Sequence, residues 1–516
     1  MSITTETKKQ NDGAAKHSTE SLDAMLDAPQ APKRSRLSRI PLLRKLALDK
    51  DPEGQFPVET GVGFGEWVPF ESKGTILRTN MRSAKSGLYA PSVPGAPSTT
   101  RQAEILNTAK IAAPTGVDGV SAGRDVLSQT PVSKDPVTDY NATPRRVTST
   151  NALLIGDVGA GKSSYGKCGY VLRPVILRNR RAVIFDKKNE DGEGEYAQIV
   201  RFFGGQPIRY ALDGSGVRLN LLDPEISGTN DDGLNNQLAF LNTVPALMRD
   251  GQGANEWERK ALRLAYREVQ ASFESGRTPT TADLHDRIGI INPNEPSLAG
   301  FSDARLEQLH EAGASMRLVF NELLEHFGAI FDGETSAGVR LNGKVSSFDI
   351  SQLPDTGPVI PMAMGLSNLW LLGRVRRDRG MRTNVIVEEA GHILGGPLAL
   401  QQRSNIKLSR GLGISNIYCL HKDTDVPPGS PGMAVIEEAQ TVHIFRQTRE
   451  KSAQWCAETF GLNPESVSEI MSLPNGHHFL KSAADDPEIE IEHVRSDWEM
   501  KMTNTDGALV ETPVEA

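Results

Sequence analysis

Cysteine is scarce in this chain: Cys168, Cys419 and Cys456 are the only three in 516 residues. An odd number of widely spaced thiols excludes a disulfide scaffold and supplies no zinc-binding pair at CxxC spacing, so a reducing compartment is expected. Long hydrophobic runs are missing as well. The longest uncharged stretch, Thr356 to Gly373, is interrupted by Gly357, Pro358, Pro361 and Gly365, and reads as a buried strand and helix, not a membrane span. The opening MSITTETKKQ has no apolar core of a secretory signal, so the expectation is a cytoplasmic protein whose membrane contact is peripheral. No charge sign dominates: 57 Lys and Arg stand against 65 Asp and Glu, a net charge of -8. Residues 483–516 carry that whole imbalance, with ten acids against Arg495 and Lys501, so the rest is near neutral and an anionic partner is not excluded.

What is present is a globular composition, 38% hydrophobic and 24% charged, with enough Gly (48) and Pro (31) for many tight turns. The length predicts two or three domains. Residues 1–50 begin without apolar periodicity and end in a basic, leucine-bearing stretch from Lys33 to Leu48. That stretch fits either an amphipathic segment on an anionic membrane face or a linker that docks its leucines on the next domain. Residues 51–145, with strand-like runs at Gly65 to Phe70 and Gly74 to Leu77, predict a small β-containing domain. Residues 146–230 and 341–482 read as two parts of one α/β core with a mostly parallel sheet, separated by an all-α insertion at 231–340 and followed by the acidic tail, 483–516. The core strands are Ala152 to Ile155, Ala182 to Phe185, Pro207 to Tyr210, Val345 to Ile350, Asn384 to Val387, Ile414 to Leu420 and Thr441 to Phe445. The insertion is inferred from Leu238, Leu241, Val244 and Leu247 at helical spacing. In the tail, Glu488 to Glu492 alternates with period two and predicts one edge strand, with disorder beyond it.

The chemistry starts at Gly156, Asp157, Val158, Gly159, Ala160, Gly161, Lys162 and Ser163, which match G-x-x-x-x-G-K-S/T directly after an apolar strand and before a helix, with Ser164 next. The glycines let backbone N–H groups wrap phosphates, Lys162 reaches the outer phosphates, and Ser163 ligates a metal. Such a site also needs an acid at the end of a neighbouring strand for the Mg2+ shell and a second acid to orient water. Val385, Ile386 and Val387 lead into Glu388 and Glu389, which fill those two roles, Glu389 as the general base. Glu388 stands where Asp is usual, one methylene longer.

These motifs resemble the ATPase family of type IV secretion and conjugation systems, in the superfamily that includes the DNA translocases FtsK and HerA, and in particular the versions carried by actinobacterial conjugative elements. The resemblance covers about residues 150–482. It rests on the P-loop, Phe185-Asp186, Gly192 to Tyr196, Gly204-Gly205, Leu219 to Pro224, Thr280 to Leu284, Phe348 to Ser351, Glu388 to Ala390, Phe460 to Leu462 and Leu473 to Gly476. It implies a RecA-like core, ATP and Mg2+ as ligands, a γ-phosphate sensor at His421 where the family usually has Gln, and an arginine finger, Arg410 or Arg403, reaching a neighbouring subunit. It further implies a ring, a hexamer in the family, attached to channel proteins at the inner membrane. The function expected is an ATP-hydrolysing motor for substrate transfer or for channel or pilus assembly. The alternatives are a DNA-pumping coupling protein and a nucleotide-gated structural subunit with little turnover.

Overall fold

The computed structural model describes residues 118–504 apart from 191, 228–230, 273–275, 293–294, 342, 379 and 484–485, together with the side chains of 231–233, 272, 407, 408 and 410. The basic stretch from Lys33 and the strand-like runs at Gly65 and Gly74 lie outside the described residues.

The described strands are β1 (Ser121–Asp125), β2 (Pro131–Ser133), β3 (Ala152–Ile155), β4 (Arg181–Asp186), β5 (Asn189–Glu190), β6 (Glu193–Gly194), β7 (Ile208–Arg209), β8 (Val345–Asp349), β9 (Thr383–Val387), β10 (Ile414–Leu420), β11 (Thr441–Phe445), β12 (His477–Ser482) and β13 (Ile489–Glu492). Eleven of them form one sheet in the order β2-β1-β13-β12-β11-β3-β10-β9-β4-β8-β7, and β5 and β6 pair as a separate hairpin. From β11 to β7 all neighbours are parallel, and β12, β13, β1 and β2 extend that sheet antiparallel.

Continuous apolar strands are what a parallel sheet covered on both faces requires. Successive side chains alternate between the faces. Leu153, Ile155, Val183, Phe185, Val385, Val387, Tyr418 and Leu420 therefore join one core, which takes in the helix Val359–Arg377 and the insertion helices. Ala152, Leu154, Ala182, Ile184, Ile386, Ile417 and Cys419 join the other, against Tyr165, Cys168, Val171, Leu172 and Val175 of the segment after the P-loop.

Between residues 231 and 340 the described elements are all helical, namely Asp231–Leu241, Val244–Met248, Glu256–Ser272, Thr281–Arg287 and Asp303–Phe331, with a short 3-10 turn at Pro296–Leu298. Thr280 and Asp283 close a capping box that starts the fourth of these helices.

Three elements differ from the sequence reading. The uncharged stretch from Thr356 forms no strand; residues 359–377 are one helix, buried along most of its length, because Pro358 and Pro361 fall at its start where a missing N–H costs little. The chain after β13 is not without structure, since Asp497–Thr503 is a helix started by a Ser496–Glu499 capping box, with Met502 packed on the second core. The strands at 121–133 and 489–492 belong to the same sheet as the P-loop strand, so that sheet runs past the boundaries drawn at 145 and 482.

Candidate functional site

The P-loop leaves the C-terminal end of β3, which lies between β11 and β10. Gly159 and Gly161 have φ of +77° and +103°, a region that favours glycine, and Gly161 hands the chain to the helix Lys162–Tyr165. The segment Gly166–Leu172 that follows is a π-helical stretch, and Arg173–Arg178 returns to α.

Neighbouring loops pin the P-loop in place. The Asp157 N–H donates to the Arg446 carbonyl at 2.9 Å, and the Asp157 carboxylate accepts from the Thr448 N–H (2.7 Å) and hydroxyl (2.6 Å). The Gly476 N–H donates to the Ala160 carbonyl at 3.2 Å. Burial pushes the Asp157 carboxyl up, but the Thr448 hydrogen bonds and the charge of Lys162 outweigh it and hold it below its ordinary value. Val158 is 79% exposed, so its backbone alone can serve the site, and the Ser164 hydroxyl donates to the Gly161 carbonyl at 3.2 Å. Lys162 is buried and donates to the Gly156 carbonyl and, at 2.8 Å, to the Asp157 carbonyl. Burial pulls its pKa down, against the charges of Glu388 and Asp157. Those two carbonyls stand where phosphate oxygens would be the better partners for the ammonium.

Glu388 and Glu389 follow β9. That strand is not the neighbour of β3, as the sequence reading had it, because β10 lies between them. Glu388 still comes within electrostatic reach of Lys162, lying against Cys419 of the intervening strand. Its N–H donates to the Phe185 carbonyl of β4, while the Ala390 N–H donates to the Cys419 carbonyl of β10. Between these opposed tethers Glu389 takes φ +51°, left-handed for a residue with a Cβ. Glu388 is buried and Glu389 half-exposed.

Burial, and then the charge of Glu195, push the Glu388 carboxyl up to about 7, against the Tyr196 hydrogen bond and the charges of Lys167 and Lys162. His392 Nε2 lies 3.4 Å from Glu389 Oε2. That contact leads in holding the Glu389 carboxyl below its ordinary value, against burial, with Lys187 adding positive charge. His421 follows β10, with its N–H on Asp425 Oδ2 at 2.7 Å and Nδ1 buried without a partner. Burial, and then the charge of Lys162, lower its pKa, and a neutral ring keeps one N–H to donate.

The structure thus brings Lys162, Glu388, Glu389 and His421 into one electrostatic neighbourhood. Arg403 is exposed on the helix Ala399–Gly411, and the side chain of Arg410 lies outside the described residues. A cleft of about 600 Å³ lined by Leu127, Glu465, Phe479 and Glu488 is separate from the site, and no P-loop residue lines it.

Among the described residues no cluster of three or more His, Cys, Asp or Glu could hold a metal by itself. Mg2+ on a nucleotide needs less, one or two hard oxygen donors besides phosphate and water, and the Ser163 hydroxyl with the Glu388 carboxylate fits that donor set.

Sequence reasoning missed the support for the acids. Parallel pairing puts Asp186 level with Asp349, and Phe185 level with Val387, so Asp186, Asp349 and Glu388 end adjacent strands side by side. Burial first, and then the charges of Glu195, Asp349 and Glu388, raise Asp186 well above its ordinary value, and its Oδ1 has no partner. The available signal was an acid at the end of each apolar strand; what it lacked was the strand order.

No protein-family model matches the chain, and no curated protein matches it in sequence. Among solved structures it is similar to VirB4 of Thermoanaerobacter pseudethanolicus, with a TM-score of 0.61 and 19% identity over 76% of this chain and 100% of that one. The plasmid coupling protein TrwB in complex with ADP and Mg2+ gives a TM-score of 0.45 and 14% identity over 75% of this chain and 97% of that one. The genome packaging NTPase B204 from Sulfolobus turreted icosahedral virus 2, in complex with ATP-gammaS, gives 0.31 and 10% over 67% and 98%. The chain has the α/β fold of VirB4, a RecA-like core built on a large, mostly parallel sheet.

Proposed function

We propose that this protein is an ATP-hydrolysing motor of a type IV secretion or conjugation system, working as a ring, a hexamer by resemblance, at the cytoplasmic face of a membrane channel. The observation that carries the hydrolase part is the convergence of Lys162 on the P-loop with Glu388, Glu389 and His421 at the ends of β9 and β10. The likeness in fold to VirB4 supports the transport part. No helix among the described residues is long and apolar enough to cross a membrane, so attachment runs through partner proteins or residues outside that range.

In this reading Lys162 leaves the Gly156 and Asp157 carbonyls for the outer phosphates of ATP. Mg2+, held by Ser163 and Glu388, supplies neutralisation of phosphate charge. Glu389, ionised at neutral pH, accepts a hydrogen bond from the attacking water and orients it. His421 donates to the γ-phosphate from a neutral ring. Arg410 or Arg403 of a neighbouring subunit completes the site.

The test is steady-state ATP hydrolysis across a protein-concentration series, with and without DNA, using Lys162→Ala as the blank. Turnover that rises with concentration and ignores DNA is expected. Strong, salt-sensitive stimulation by DNA would favour the DNA pump. Negligible turnover with intact nucleotide binding would make the chain a nucleotide-gated structural subunit.

A further inference from the structure

The segment that follows the β5–β6 hairpin folds back over the ends of β4, β8 and β9. The Gly194 N–H donates to Asp349 Oδ2 at 3.1 Å, the Tyr196 N–H to Asp186 Oδ2 at 2.8 Å, and the Tyr196 hydroxyl to Glu388 Oε1 at 2.5 Å. The approach needs glycine at 194, since a Cβ there would lie 2.2 Å from Asp186 Oδ2. Lys167, fully buried, comes 3.5 Å from Glu195 and 5.1 Å from the centre of the Tyr196 ring. Tyr196 is itself fully buried. Its backbone is therefore fixed by Asp186 and its ring lies beside Lys167, which leaves the hydroxyl aimed at one carboxylate oxygen of Glu388. The weak thiol donor of Cys419 also lies against that carboxylate.

A carboxylate that ligates a metal is generally oriented by a hydrogen bond from behind, and losing that bond weakens metal binding. Glu388 has one methylene more than the usual aspartate, and so more freedom to miss the metal. We infer that Tyr196 is a positioning residue for Glu388: its hydroxyl commits Oε1 and takes up the extra reach of the glutamate, leaving the second oxygen for the magnesium shell of a bound nucleotide. The inference rests on the nucleotide-hydrolase reading above. It adds a third side chain, beside Ser163 and Glu388, on which the Mg2+ dependence turns, from a segment 192 residues from Glu388 in sequence.

The experiment is a titration of the full chain with a fluorescent ATP analogue over a Mg2+ series and in EDTA. It is run on the wild type, Tyr196→Phe, Glu388→Asp, the double variant and Lys162→Ala, with a melting curve of each protein without nucleotide. Tyr196→Phe keeps the buried ring and removes one hydroxyl. The expected result is a Mg2+ midpoint raised about 10-fold or more, with binding in EDTA unchanged. Glu388→Asp, too short to meet the hydroxyl, shifts the midpoint in the same direction, and the double variant is no worse than the worse single one, because both break the same bond.

An unmoved midpoint in Tyr196→Phe, or additive losses in the double variant, overturns the inference; a purely structural Tyr196 would lower the melting temperature and leave the midpoint in place. If Tyr196→Phe melts below the assay temperature, an unmoved midpoint in Glu388→Asp overturns the inference by itself. A wild type that binds no nucleotide, or a Lys162→Ala variant that binds as well as wild type, refutes the hydrolase reading and this inference together.

Discussion

Glu389 offers a way to separate backbone strain from chemistry. Its φ of +51° is imposed by the hydrogen bonds that hold Glu388 to β4 and Ala390 to β10. Glu389→Ala and Glu389→Gly both delete the carboxylate and its contact with His392, so those losses cancel in the comparison and the backbone difference remains. An L-residue in the left-handed region costs roughly 1–2 kcal/mol, and the extra freedom of glycine in the unfolded chain returns about 0.5–1 kcal/mol. Glu389→Gly should therefore be more stable than Glu389→Ala by about 0.5–1 kcal/mol, a rise in melting temperature on the order of 1–3 °C. Paired thermal and urea unfolding curves measure the difference, and ATP hydrolysis should be abolished in both. An alanine variant as stable as the glycine variant would refute the claim that strain is stored at this position.

Gly194→Ala should cost about 2–3 kcal/mol, read from denaturant unfolding, because the added methyl meets the buried Asp186 carboxylate. Glu499 pairs with Arg173 at 2.7 Å, and that arginine also donates to the Ser121 and Val494 carbonyls, joining the segment after the P-loop to both ends of the described chain. Glu499→Gln should cost about 3 kcal/mol at pH 7. Although burial opposes it, the Arg173 hydrogen bond holds Glu499 below its ordinary 4.5, so its stabilisation is full above that value and is lost as pH falls through the lower folded value. The gap between wild type and Glu499→Gln should accordingly narrow below about pH 4.5 in unfolding measured across pH. His421→Ala should lower turnover about 100-fold with nucleotide affinity little changed, and His421→Gln should recover part of it, as steady-state kinetics would show.

The P-loop was legible because its chemistry is local. Eight contiguous residues carry both the glycines that permit positive φ and the lysine, and an apolar strand before them marks the context. The acids were legible because a run of Val and Ile that ends in two glutamates is a strand end in any parallel sheet. The helical insertion declared itself through periodicity. None of these features depends on what lies beside them in space.

Strand order is different, since it depends on which apolar faces pack together across the whole chain. That order inserts β10 between the P-loop strand and the acids, and it sets Asp186, Asp349 and Glu388 side by side. It also brings Thr448 to Asp157 across 291 residues and Tyr196 to Glu388 across 192. The sequence by itself determined that a glycine-rich loop with a lysine follows an apolar strand, that two acids follow another, and that a run of helices separates two groups of strands. Only the tertiary structure decided which of the buried acids meets the Tyr196 hydroxyl, and that Glu389 follows its strand with a left-handed backbone. The physical reason is that hydrogen bonds and burial, which set those roles, join residues that chain order keeps apart.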